Sequence, residues 1–176
     1  VADAESNPLV RMTAVLNRDN SLERLHDNFQ SIRGMRWVDA PLTTKAPFSI
    51  GLNLEDLDPA ATKSLDVMLG FFITETMPFS STRVEVISED QVIDRLQFYH
   101  THDLEKRVKV PVSAFKDGRT TLTLKVTRAI ADQDVDSALW FDRADVVYPG
   151  RPRQLDGHLA LHPWNAEEKV GWTPLP

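Results

Sequence analysis

The sequence predicts an all-β fold, an antiparallel two-sheet β-sandwich with one N-terminal α-helix and an irregular C-terminal arm. Three observations carry this. Short runs of alternating apolar and polar residues recur from about residue 11 to residue 148, residues with turn chemistry separate them, and prolines crowd the chain after residue 149.

The alternation is clearest at Phe48, Ile50, Leu52 and Leu54, which face one way while Ser49, Gly51 and Asn53 face the other. Leu65 to Ile73 is apolar on both faces and reads as a central strand. Arg83–Val86, Arg107–Val110 and Thr121–Val126 alternate cleanly, and Val92–Tyr99 and Ala138–Tyr148 are longer and less regular. Arg11–Leu16 and Met35–Val38 bring the set to eight or nine strands. Asp117-Gly118 supplies the positive φ of a tight turn, and Asp58-Pro59 ends a strand because Asp58 can bond the backbone ahead of it. The helix is expected over about residues 21–33. Asn20 caps it, Glu23 completes a capping box, Leu22, Leu25, Phe29 and Ile32 share a face, and Gly34 closes it.

With 176 residues the chain suits one domain, expected over residues 1–149. Residues 150–176 form a proline-rich extended arm, with prolines at 152, 163, 174 and 176. Leu155, Leu159, Leu161, Trp164, Val170, Trp172 and Leu175 recur along it, so it needs a surface to cover, on its own sandwich or on a neighbour. The net charge is −6 with acids and bases interspersed, which gives no basic stripe for nucleic acid. Without cysteine there is no disulfide framework, thiolate site or cysteine nucleophile. No run is long enough to span a membrane, so membrane association is expected only through a partner. The opening Val1–Ser6 suits a mature N-terminus just past a signal-peptidase site, which makes the expected location extracytoplasmic, periplasmic or secreted.

Candidate chemistry is sparse. On a strand, His100 and His102 point the same way and can address one metal, yet the spacing matches no template and no transition metal is expected there. His158 and His162 have zinc-protease helix spacing without the glutamate, and Pro163 ends any such helix. Asp132, Asp134 and Asp136 alternate like the start of a calcium loop, without an EF-hand's glycine or distal glutamate. They read as a candidate structural calcium site or as a solvated acidic loop, and no other cofactor is expected. The nucleophile elbow, the phosphate-binding glycine loop and the dinucleotide fingerprint are all missing. Of the large planar rings, Trp37, Trp164 and Trp172 are the candidate ligand-binding residues, while Trp140, inside an alternating run, is assigned to the core.

Val108-Lys109-Val110-Pro111-Val112 leads through Phe115 and Asp117-Gly118 to Thr121–Val126, and Trp140-Phe141-Asp142 opens the run that ends at Pro149. This order resembles the second half of a galactose-binding-like jelly roll, the fold of many carbohydrate-binding modules. The resemblance implies a non-catalytic extracytoplasmic module whose partner is carbohydrate. The alternative is a structural or accessory subunit of an envelope or membrane-associated complex, docking on a protein subunit through its C-terminal arm. A hydrolytic or metal-dependent enzyme is the third choice.

Overall fold

The computed structural model describes residues 9–17, 21–26, 32–73, 82–98, 103–128 and 139–151. Their strands are β1 (Val10–Asn17), β2 (Ser21–His26), β3 (Ile32–Val38), β4 (Ala40–Pro41), β5 (Phe48–Asn53) and β6 (Ser64–Ile73). Then follow β7 (Thr82–Ser88), β8 (Gln91–Phe98), β9 (Asp103–Pro111), β10 (Arg119–Arg128) and β11 (Leu139–Gly150). One 3-10 turn, Val112–Ala114, precedes β10.

Two antiparallel sheets face each other. The first runs β1-β11-β6-β9, with β4 continuing along β11 where β1 ends; the second runs β5-β10-β7-β8. The expectation of a central apolar strand is met by β6, which lies between β11 and β9. Alternation sets the inner faces: Ile50 and Leu52 of β5, Val84 and Val86 of β7, Leu122, Leu124 and Val126 of β10 are buried, opposite Leu69, Phe71, Val110 and Val146. Phe48 packs half-buried against the same core. Phe48 meets Phe141 at 5.5 Å and Phe71 meets Phe98 at 4.8 Å between ring centroids. These contacts place β5 over β11 and β8 over β6. The β8–β9 side is closed by Lys106, whose Nζ sits 5.3 Å from the Phe98 ring centroid.

Among the described residues the N-terminal helix is not formed, and residues 27–31 of its expected span lie outside them. Residues 21–26 and 32–38 are β2 and β3, an antiparallel pair with Trp37 opposite Leu22 and a register shift after Leu25. Apolar residues three and four apart are a weak prior for helix, and pairing along a second strand satisfies the same backbone groups. Gly34, read as the helix stop, lies within β3 opposite Leu25.

The turns follow the sequence. Asp117 and Gly118 have φ of 51° and 74°, and Lys116 and Arg119 exchange both backbone hydrogen bonds around them. Asp58 Oδ1 accepts the Ala60 N–H at 3.0 Å. Ser88-Glu89-Asp90-Gln91 makes a second turn of the same hand, with φ of 48° and 62° at two non-glycine residues, and Glu89 pairs with Lys116 at 2.7 Å.

Candidate ligand-binding face

The solvent side of the second sheet is built from the polar phase of its strands. Outward-facing positions are Ser49, Gly51 and Asn53 on β5, then Thr121, Thr123, Lys125 and Thr127 on β10. Arg83, Glu85 and Ile87 on β7 and Val92, Arg95 and Gln97 on β8 complete the face, so two apolar side chains stand among the polar ones. Cross-strand pairing sets Lys125, Glu85 and Arg95 in one row and Arg83 opposite Gln97 in the next. A register shift between Val126 and Arg128 brings Thr127 beside β7, where its hydroxyl lies 3.5 Å from the Arg83 carbonyl.

These strands form a depression of about 380 Å³, lined by Arg83, Val84, Glu85, Arg95, Leu96, Gln97 and Thr127. That volume falls at the low end of small-molecule sites. Arg95 Nε donates to Glu85 Oε1 at 3.2 Å across the strand pair, which orients the guanidinium with its side chain 74% exposed. The lining thus combines guanidinium and amide N–H donors with carboxylate and hydroxyl acceptors. Toward β5 the face flattens: the Ser49 and Thr123 hydroxyls lie 3.4 Å apart, and nothing stands within 4 Å of where a side chain on Gly51 would start. The arrangement offers donors and acceptors to a ligand rich in hydroxyl groups, and its two guanidinium groups outnumber its one carboxylate.

Few of the residues singled out in the sequence are described. Trp164, Trp172, Asp132, Asp134, Asp136, His100, His102, His158 and His162 lie outside the described residues, and Trp37 is described only by its backbone on β3. The strand ends that flank residues 99–102 and 129–138, Phe98, Asp103, Arg128 and Leu139, lie at one end of the sandwich. Among the described residues, no three His, Asp or Glu side chains are grouped to hold a metal ion.

Trp140 does not belong to the core. It lies opposite Phe72 and Pro41 on the outer side of the first sheet, half-buried, and its indole Nε1 is buried with no hydrogen-bond partner. The bulge between Phe141 and Arg143 is the reason. Asp142 is the extra residue, so Phe141, not Trp140, shares the inward phase of Ala144, Val146 and Tyr148. Sequence reasoning missed Arg83, Glu85, Arg95, Gln97 and Thr127. Their one signal was position on the polar phase of alternating strands, which every solvated sheet face shares.

No family model matches the sequence, and no curated protein matches it. Solved structures are similar in fold. Dimeric latent PorU from Porphyromonas gingivalis superposes with a TM-score of 0.53 at 9% identity, over 97% of this chain and 16% of PorU. A family 35 carbohydrate-binding module from an environmental isolate gives 0.42 at 18% identity, over 82% of this chain and 98% of the module. A CBM36 module in complex with calcium and xylotriose gives 0.42 at 8% identity, over 76% and 98%. The likeness is one of fold. The chain is an antiparallel two-sheet β-sandwich, and it spans only 16% of the PorU chain.

Proposed function

We propose that the chain is a non-catalytic carbohydrate-binding module that works outside the cytoplasm. The observation that carries this reading is the depression over β7 and β8. Its charged and amide groups converge from two strands onto an open, shallow surface, the kind of place where a hydroxylated ring is held by paired donors and acceptors. The smooth strip beside it, at Ser49, Gly51 and Thr123, leaves room for a polymer to continue past the first ring. No helix among the described residues is long and apolar enough to cross a membrane, and the reading needs none.

Affinity electrophoresis through gels containing single polysaccharides tests it. Retarded migration in at least one gel is expected, with the retardation lost in Arg95→Ala and Arg83→Ala. Both side chains are exposed, so neither change should lower the melting temperature appreciably. Absence of retention across a broad polysaccharide panel, or retention indifferent to both substitutions, would remove this face as the site.

A further inference from the structure

Among the described residues, one side of the sandwich is open. Along β1, Arg11, Thr13 and Val15 face solvent while Met12, Ala14 and Leu16 turn inward, registered against Tyr148, Val146 and Ala144 of β11. Those three β11 residues are buried, yet Met12, Ala14 and Leu16 are only half-buried although they pack on the core. The cause is the stacking of β5 over β11, which leaves β1 overhanging with no strand of the second sheet above it among the described residues. Phe48 of β5 and Leu57, which bridges Gly150, are half-buried along the same seam.

The two sides of the sandwich also differ in how their edges are guarded. On the closed side, β8 and β9 carry Asp94, Arg95, Glu105, Lys106, Arg107 and Lys109. Charges on an edge strand discourage a further strand from adding to it. Phe48–Asn53 of β5 contains no charge, no proline and no bulge. Among the described residues it pairs with β10 alone, so its other edge is open to an added strand.

The described chain leaves at the end of this seam. Arg151 N–H donates to the Asp56 carbonyl at 2.9 Å, and Arg151 Nε donates to Asp58 Oδ2 at 2.7 Å, beside Leu57. The Arg151 bond, then the Ala60 N–H, hold the Asp58 carboxyl below its ordinary range, so this anchor is ionic at neutral pH. β5 runs toward this point, so a chain turning back from Arg151 runs antiparallel to it. Residues 153–162, between Pro152 and Pro163, are free of proline and contain Leu155, Leu159 and Leu161. At about 3.3 Å per extended residue they are ample to pass Met12, Ala14 and Leu16.

We propose that residues 153–162 of this same chain dock in extended form in the seam between β1 and β5. Leu159 and Leu161, two apart and so on one side of an extended chain, cover Met12, Leu16 and Phe48. The arm thereby completes the second sheet along β5 and closes the open side of the core. This docking does not rest on the carbohydrate reading, since the arm adds to the edge and inner side of β5 while the proposed ligand face is the outer side of the second sheet.

The chain has no cysteine, so paired substitutions report on proximity without background. Ala14→Cys combined with Leu159→Cys, and separately with Leu161→Cys, is oxidised in the full-length protein. An intramolecular disulfide in at least one pair is expected. Trypsin, blocked after Arg151 by Pro152, is used to cut after Arg153. Leu159→Asp with Leu161→Asp should speed that cut at least about tenfold, the factor that burial of one leucine represents. These arm substitutions leave the sandwich untouched, so its melting transition checks that the variant folds. Disulfides only between two chains would assign the seam to another copy's arm and overturn the proposal. Neither disulfide, with cleavage equally fast in wild type and variant, would overturn it as well.

Discussion

The hydroxyl of Tyr148 donates to the carbonyl of Glu55 at 3.0 Å, joining the inner face of β11 to the turn that follows β5. The ring itself is 3% exposed and belongs to the core. Tyr148→Phe keeps the ring and removes this bond, so a loss of about 0.5–1.5 kcal/mol is expected. Urea denaturation should show it as a lower midpoint at unchanged slope.

The same bond has a pH signature. Burial, then the neighbouring Glu55 and Asp56 carboxylates, raise the Tyr148 phenol above its ordinary value of 10.0. In the unfolded chain the phenol ionises near that ordinary value. Its contribution is therefore complete below about pH 10 and is lost as pH rises through the raised folded value. Melting temperatures of wild type and Tyr148→Phe should thus converge as the solution is taken above pH 10. A constant gap across that range would contradict the burial of the phenol.

Leu124 tests the core. It is 1% exposed, on β10 between Phe48 of β5 and Val86 of β7. Leu124→Ala removes buried methyl groups from a place where two strands hold the backbone, so little collapse can fill the space. A loss of about 2–5 kcal/mol is expected from urea unfolding. A loss well under 1 kcal/mol would mean that this face is not packed against the first sheet.

How much of this was legible in the sequence depended on whether a strand keeps its phase. β5, β7 and β10 alternate without interruption over most of their length, so Ile50, Val84 and Leu122 could be assigned inward from residue parity alone. β11 could not be read that way, because the bulge at Asp142 inverts the phase and moves Trp140 to the outer side. Residues 21–33 failed for another reason. Their apolar spacing and the Asn20–Glu23 cap fit a helix, while pairing between Glu23 and Arg36, or Leu22 and Trp37, is non-local and leaves no mark in a short window. The ligand face was illegible because convergence of Arg83, Glu85, Arg95 and Gln97 depends on which strands are neighbours. The β7–β8 pairing that brings them together becomes visible only in the folded chain.

The turn at Asp117-Gly118 gives a sharper test of backbone geometry. Gly118 has φ of 74°, and its carbonyl accepts the Leu54 N–H at 2.7 Å, fastening the end of β5 to the start of β10. A Cβ added there would stand 2.4 Å from the Leu54 carbonyl oxygen, a backbone atom with nowhere to swing. Gly118→Ala must therefore hold a strained φ and also push the Leu54 segment away, and a loss of about 1–3 kcal/mol is expected. Gly51 provides the comparison within the same sheet, since a Cβ there meets nothing within 4 Å. Gly51→Ala should change stability by less than about 1 kcal/mol, and its restriction of the unfolded chain favours the folded state. Thermal melts of the two variants should separate clearly, with Gly118→Ala the lower. Equal melting temperatures would show that residue 118 does not occupy the left-handed region, and the β5–β10 register built on that turn would have to be redrawn.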